Sequence, residues 1–258
     1  TNIGYPINSP SDENSMIVAK DGRTAYFASS YFNKGRTDLD LYTFDLPNES
    51  RAIEVAYIQG NITDNFTKKS LQCHIDLVDL DSGRKFKSSQ SDINGDYMLC
   101  LPTNCSYALT VSKKNYMLFS ENILLDEQGT IIIKNFQLNP LNLGEQVRLD
   151  NIFFEKDSYH LEDSSSSELN SIINFLESNP SLVIEIGGHT DNTGSNDYNV
   201  RLSYQRAKAV KNALTQRGMS SKRILTKGYG MSAPINDNMS VEKRSLNRRT
   251  ELTIISIE

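Results

Sequence analysis

Gly187-Gly188-His189-Thr190-Asp191-Asn192-Thr193-Gly194 follows the apolar run Leu182-Val183-Ile184-Glu185-Ile186 and precedes a segment carrying Asn199, Leu202, Ser203 and Arg206. The apolar run reads as a strand. Gly187-Gly188 lets the backbone turn tightly, Asp191 follows, and Asn192-Thr193-Gly194 turns into a helix start. A helix N-terminus offers free amides and partial positive charge, which suits a carboxylate. Arg206 lies seven residues after Asn199, about two turns, so with Leu202 and Ser203 it shares one helix face. An acid and a guanidinium held around one helix start form a two-pole clamp: the acid takes an ammonium, and the planar guanidinium takes a carboxylate bidentately. The matching ligand is a zwitterion such as an amino-acid head group. Spacing alone leaves a second reading open, in which Asp191 and Arg206 pair only with each other and hold loop to helix.

Outward from this stretch, strand and helix patterns alternate. Ile152-Phe153-Phe154 reads as a short first strand, and Leu169, Ile172, Ile173 and Leu176 recur at helical spacing over residues 163–177, ended by Pro180. A second helix over 199–217 turns Val200, Ala207, Val210 and Leu214 inward and closes at Gly218. Strands over 223–229 and 249–257, with a short helix over 241–246 between them, complete an α/β two-layer sandwich of βαβαβ(α)β order over residues 148–258. Residues 141–147, bracketed by Pro140 and Gly144, read as a linker. Before it, residues 51–140 read as an all-β sandwich, with strands at Ile75–Leu80 and Tyr107–Val111 and turns at Asp81-Ser82-Gly83 and Asn94-Gly95-Asp96. Residues 1–50 hold three further strand patterns, two of them flanking the turn Lys20-Asp21-Gly22-Arg23, and suggest one blade of a propeller.

The chain has 258 residues, 38% hydrophobic and 23% charged, which excludes disorder and fits two or three domains. A net charge of -5 argues against a general nucleic-acid binder. One local exception runs from Arg201 to Lys227, where eight basic residues occur without an Asp or Glu. That run is either a solvated helix face or a surface tuned to an anionic partner. No apolar run is long enough for a membrane helix, and no signal-peptide pattern is visible. The opening at Thr1 reads as a processed or excised piece, with any lipid anchor upstream. Cys73, Cys100 and Cys105 lack metal-ligand spacing. Cys100 and Cys105 flank a plausible turn and are either disulfide-bonded, in an oxidising compartment, or free thiols.

Two resemblances give these patterns a function. Gly188-His189-Thr190-Asp191-Asn192-Thr193-Gly194, Asn199-x-x-Leu202-Ser203-x-x-Arg206-Ala207, Gly228-Tyr229-Gly230, Pro234 and Asn247-Arg248-Arg249-Thr250-Glu251 resemble the OmpA-like C-terminal domain. That resemblance implies non-covalent, non-catalytic binding of peptidoglycan through the meso-diaminopimelate of its stem peptide, with no cofactor and no metal. Asp191 matches the acid that holds the diaminopimelate amine, and Arg206 the arginine that holds its carboxylate. Thr193, Gly194 and Asn199 match surrounding turn and helix positions, and Asp157 matches a pocket-lining position of the first-strand motif. His189 and Leu202 match supporting positions. Arg248 and Arg249 match closing arginines that serve the pocket or brace the sheet, with bracing the favoured role. Lys243 and Thr250 depart from the family pattern. Upstream, Gln59-Gly60-Asn61-Ile62-Thr63, Ser91-Asp92-Ile93-Asn94-Gly95-Asp96-Tyr97 and Tyr107-Ala108-Leu109-Thr110-Val111 resemble the carboxypeptidase regulatory-like domain, a seven-stranded spacer or interaction module. No His-x-x-Glu pair of a zinc carboxypeptidase is present. Ser11-Asp12-Glu13-Asn14 and Asp40-Leu41-Tyr42-Thr43-Phe44 resemble the last blade of envelope propeller repeats.

Together these resemblances imply a wall anchor in the periplasm at the inner face of the outer membrane, touching envelope proteins through its β domains. They imply no nucleic-acid partner and a membrane link only through an upstream anchor. The domain order is similar to that of Bacteroidota envelope lipoproteins, including the wall-anchoring component of type IX secretion. The alternative is a metal-dependent enzyme acting on the wall peptide through His189, Asp191 and Asp197, for which a third ligand at a fixed offset is missing.

Overall fold

The computed structural model describes residues 13–19, 21–30, 39–51, 53–83, 85–125, 131–155 and 157–257. Ser11 and Asp12 of the blade-like word, Lys20 of the expected turn and Lys156 of the first-strand motif lie outside them. The chain divides into two compact units, Thr1–Val55 and Ala56–Glu258. In the first, β1 (Glu13–Val18), β2 (Thr24–Ser29) and β3 (Asp40–Asp45) form an antiparallel sheet in that order. Its first turn is closed by Asp21, whose carboxylate accepts the Arg23 and Thr24 amides at 2.9 and 3.0 Å.

The second unit opens with eight strands: β4 (Val55–Asp64), β5 (His74–Asp79), β6 (Lys85–Gln90), β7 (Asp96–Pro102), β8 (Cys105–Ser112), β9 (Phe119–Leu125), β10 (Ile131–Ile133) and β11 (Phe136–Leu138). One sheet has the order β6-β5-β8-β9; in the other, β4 pairs with β7, β10 and β11. The last two run parallel to successive halves of β4, opposite Tyr57–Gln59 and Ile62–Asp64, as one interrupted strand. Gly60 sits at the interruption, because a Cβ there would lie 1.8 Å from the Lys134 carbonyl oxygen. Period-two alternation turns Ile58, Ile62, Ile75, Leu77, Leu99, Leu101 and Leu109 into one core. The same alternation puts Cys100 on the outer face of β7, whereas Cys105 begins β8 in the other sheet; all three cysteines are free thiols.

The remaining sheet has the order β12-β15-β13-β14, built from β12 (Gln146–Arg148), β13 (Leu182–His189), β14 (Ile224–Gly230) and β15 (Thr250–Ile257). Helices α1 (Ser166–Ser178), α2 (Asn196–Gln216) and α3 (Val241–Asn247) lie between the strands in sequence. Leu169, Ile172, Leu176, Ile184, Ile186, Ala207, Val210, Leu214, Leu252 and Ile254 form the second core. Gly218, at φ +101°, ends α2: its amide reaches the Thr215 carbonyl and the Met219 amide that of Leu214, the pairing of a Schellman cap. Among the described residues no helix is long and apolar enough to cross a membrane.

Four local expectations are corrected. The first strand of this sheet is β12, antiparallel to β15 with Val147 opposite Leu252, so part of the expected linker is sheet. Ile152-Phe153-Phe154 has left the sheet and keeps only a bridge from Phe154 to Leu161; the Ile152 and Phe154 side chains pack against the core without continuing the ladder. Gly187-Gly188 does not turn, since both residues continue β13 between β14 and β15. The missing side chain of Gly188 serves helix packing, as does that of Gly228: a Cβ on Gly188 would lie 2.1 Å from the Ser203 carbonyl oxygen, and one on Gly228 2.6 Å from the Tyr204 amide, whereas a Cβ on Gly187 would meet the Tyr229 ring at 3.0 Å. Finally, α2 starts three residues before Asn199, because Ser195 caps it through its hydroxyl to the Tyr198 amide at 3.3 Å, and its first turn is polar and exposed.

The β-rich and α/β parts of this unit share a seam. Met117 and Leu118, just before β9, are buried in the second core. The Thr110 and Ser171 hydroxyls lie 3.1 Å apart, and Asn115 donates its amide to the Asn179 side chain at 3.1 Å. Fully buried Glu168 on α1 accepts from the Ser120 hydroxyl of β9 at 2.5 Å and from Asn151 Nδ2 at 3.1 Å. Burial, opposed by these two hydrogen bonds, pushes the Glu168 carboxyl up to about 7.

Candidate binding cleft

The end of β13, the first half of α2 and the loop after β12 enclose a cleft of about 750 Å³. Three elements fix the Asp191 loop. The Thr190 amide donates to the Gly230 carbonyl at 2.9 Å, the His189 amide to that of Arg249 at 3.0 Å, and Asn199 Nδ2 to that of Thr193 at 3.0 Å. Gly194 takes φ +88°, which aims the chain into α2. Asp191 is thereby buried at the cleft wall with its carboxylate committed: Oδ1 accepts the Thr193 amide at 2.9 Å and Oδ2 accepts Arg248 Nη1 at 2.7 Å. Burial would raise this carboxyl, but the Arg248 and Thr193 hydrogen bonds outweigh it and hold the group below its ordinary value.

Arg206 enters from α2. Its Nε donates to the Ser158 carbonyl at 2.9 Å and its guanidinium lies 5.1 Å from the Phe154 ring centre. Among the described residues its terminal nitrogens have no hydrogen-bond partner, so they can receive a carboxylate. Burial lowers the Arg206 pKa, with Arg248 adding to that and the charges of Tyr198, Asp157 and Asp191 opposing it. Asp191 and Arg206 therefore do not pair with each other: each is held by another group, and both line the same cleft.

Asp157, Asp191, Thr193, Gly194, Asn199, Leu202, Arg206 and Arg248 all line this cleft. The two closing arginines divide. Arg248, for which bracing was the favoured role, stands in the cleft wall beside Asp191. Arg249 braces: its buried Nε pairs with Glu251 Oε1 at 2.6 Å and Nη2 donates to the Ala233 carbonyl. His189 is behind the wall, 3% exposed, its ring stacked 4.8 Å from Tyr229 and its Nε2 3.0 Å from Glu251 Oε2. Asp197 is exposed on the first turn of α2 and is not part of the wall. Among the described residues no three His, Cys, Asp or Glu side chains come together to hold a metal ion. Lys243 pairs with Asp237 at 2.6 Å, and buried Thr250 stands opposite Gly188 in the sheet, so neither departure disturbs the cleft.

Several residues that shape or support the cleft carry no clear signal in the sequence. Ser158 contributes only a carbonyl, a group every residue has, so no signal marks it. Phe154 reads from its apolar neighbours as a strand residue, whereas in the structure its ring lies against the Arg206 guanidinium. Glu155, Glu162 and Tyr198 also reach the wall, and the acids make its rim negative around the two arginines.

A four-stranded sheet covered by helices, with a charged cleft at the strand ends lined by both a fixed carboxylate and an available guanidinium, defines an α/β module with a candidate binding cleft. Residues 153–248 match the OmpA family, and this part of the chain is an OmpA-like domain. The chain is 36% identical over 105 residues to a probable lipoprotein, YiaD, of Escherichia coli K12, covering 41% of this chain and 48% of the relative. It is 39% identical over 103 residues to the peptidoglycan-binding protein ArfA of Mycobacterium bovis, covering 40% of this chain and 32% of that protein. The crystal structure of the peptidoglycan-associated lipoprotein from Burkholderia pseudomallei is similar at 30% identity and TM-score 0.38, over 40% of this chain and 87% of that one. The chain thus spans about half or less of the length of the curated relatives named here.

Proposed function

We propose that the cleft binds peptidoglycan without catalysis, through the zwitterionic end of meso-diaminopimelate in the stem peptide. The observation that carries this reading is the pair of opposite poles facing one space: Asp191, fixed by Arg248 and the Thr193 amide, and Arg206, fixed by Ser158 and Phe154 with its terminal nitrogens available. The ligand's ammonium meets the lone pairs left on Asp191 and the negative rim of Asp157, Glu155 and Glu162. Its carboxylate takes the two terminal nitrogens of Arg206 in a bidentate pair. Leu202 and Phe153 offer the apolar wall for the methylene chain between the two centres. Membership of residues 153–248 in the OmpA family, and similarity to a relative named as peptidoglycan-binding, support the same reading.

On this reading the protein anchors an outer-membrane or periplasmic assembly to the wall from the inner face of the outer membrane. The β-rich residues 51–140 act as a regulatory-like spacer toward envelope partners, as in the type IX anchoring lipoproteins. The test is co-sedimentation with insoluble peptidoglycan, with free meso-diaminopimelate as competitor. Arg206→Ala and Asp191→Asn should each weaken binding at least about tenfold, because one charge-assisted hydrogen bond is worth roughly 1.5–3 kcal/mol. Circular dichroism should show the wild-type fold in both. Equal sedimentation of wild type and both folded variants would falsify the clamp.

A further inference from the structure

The basic run from Arg201 to Lys227 is only half used by the fold. Arg206 belongs to the cleft, and Arg223 holds the carbonyls of Leu176, Asn179 and Leu182 at the end of α1. Arg217 donates to the Ser166 hydroxyl, and Lys227 lies over the Tyr229 ring. Arg201, Lys208, Lys211 and Lys222 have no ion-pair or hydrogen-bond partner among the described residues; Arg201, Lys208 and Lys222 are exposed and Lys211 is half-buried. Arg201 and Lys208 are two turns apart on the outward stripe of α2, Lys211 follows one turn on, and Lys222 stands in the turn after the helix. The nearest acid before them in sequence is Asp197, at the start of α2, and no acid follows until after Lys227. In a chain of net charge -5, this stretch of α2 and the turn after it is a local concentration of positive charge.

We propose that this outward face of α2 and the turn after it form a second contact for the carboxylate-bearing wall polymer whose zwitterionic group the cleft holds. The inference rests on the cleft reading for the identity of the polymer. Stem peptides repeat along each glycan strand and carry free carboxylates, so a polymer held at one stem presents further anions nearby. Asn199, Leu202 and Arg206 project from the same rigid helix as the free cations, which fixes the distance between the two contacts and makes the second one effectively intramolecular. Long-range charge also matters: an acidic protein approaches a polyanion most productively with a basic surface forward, and this one is carried by the same helix that supplies Leu202 and Arg206 to the cleft. A lipid surface fits less well, because the apolar stripe of α2, Ala207, Val210 and Leu214, is fully buried in the core and cannot insert.

The test compares wild type with the combined variant Arg201→Gln, Lys208→Gln, Lys211→Gln, Lys222→Gln, using purified lipid-free sacculi, free meso-diaminopimelate and vesicles containing phosphatidylglycerol. Wild-type affinity for sacculi should fall as salt rises from about 50 to about 300 mM, over which the screening length shrinks. The variant should bind sacculi about tenfold more weakly at low salt, with a flatter salt dependence, because exposed charge contacts are individually weak and add up only as a set. Both proteins should bind free meso-diaminopimelate equally. The proposal is overturned if the variant matches wild type on sacculi at every salt concentration, or if the four charges affect only vesicle binding. Sacculus binding that depends on these charges but is not displaced by meso-diaminopimelate would instead sink the cleft reading and leave this contact standing; absence of any sacculus binding by wild type sinks both.

Discussion

Replacing Glu168 by Gln should make the protein more stable at pH 8 and remove part of its pH dependence. Glu168 is 1% exposed at the seam between β9 and α1, where its Oε2 accepts from Ser120 and Asn151. Its Oε1 and the facing group's Asn151 Oδ1 are buried without a hydrogen-bond partner among the described residues. Burial raises this carboxyl from 4.5 to about 7, with the neighbouring Asp150 charge adding to the rise. Below pH 4.5 the group is neutral in folded and unfolded chains alike and costs nothing. Between 4.5 and 7 the unfolded chain releases the proton and the folded one keeps it, so stability falls by up to about 1.4 kcal/mol per pH unit. Above 7 the full penalty remains, at most about 3 kcal/mol. Gln keeps the shape, accepts the same two hydrogen bonds and cannot ionise. The variant should therefore gain about 2 kcal/mol at pH 8, a rise in Tm of roughly 4–8 °C for a unit of this size. At pH 4.5 it should match wild type to within about 0.5 kcal/mol, the usual size of a near-neutral substitution. Urea unfolding of both proteins from pH 4.5 to 8 measures the difference, in which titrations common to both cancel. A wild-type-minus-variant difference that does not change with pH would refute the reasoning, as would a variant that is less stable at pH 8.

Two further substitutions test the sheet around the cleft. Gly188→Ala puts a methyl group 2.1 Å from the Ser203 carbonyl oxygen, against backbone that cannot yield without lifting α2; the expected outcome is a loss of about 3 kcal/mol or more, read as a lower urea midpoint, together with loss of sedimentation with peptidoglycan. Glu251 carries the opposite pH sign to Glu168: hydrogen bonding to His189, and then to Arg249, lowers its carboxyl to about 2 against the cost of burial. Its stabilisation is therefore present above about 4.5 and disappears as pH falls toward 2, so Glu251→Gln should lose about 2–3 kcal/mol at pH 7 and progressively less in acid, by the same urea measurement.

Much of the α/β part is legible in the chain because its signals are local. The run Leu182–Ile186, the spacing of Ala207, Val210 and Leu214 and the terminal Gly218 each act within a few residues, and the structure keeps all of them. The expectations that failed share a different cause. Ile152-Phe153-Phe154 is apolar because it is packed against a core, and apolarity alone does not distinguish a buried loop from a strand. Gly187-Gly188 signals freedom from a side chain, which a turn and a close helix crossing both require.

For the cleft, the chain by itself determined the chemistry, an acid on a glycine-flanked loop and an arginine in the helix that follows it, because loop, cap and helix face are set by neighbours in sequence. Only the tertiary structure decided the partnerships. Asp191 is held by Arg248, 57 residues away, and Arg206 by the Ser158 carbonyl, 48 residues away. Which cation reaches a carboxylate depends on side chains brought together when β12, β13 and β15 pair, and an ion pair has no sequence period to announce it. The same assembly left Arg206 with two available nitrogens and turned Arg249 inward, dividing the adjacent Arg248 and Arg249 between the cleft wall and a brace.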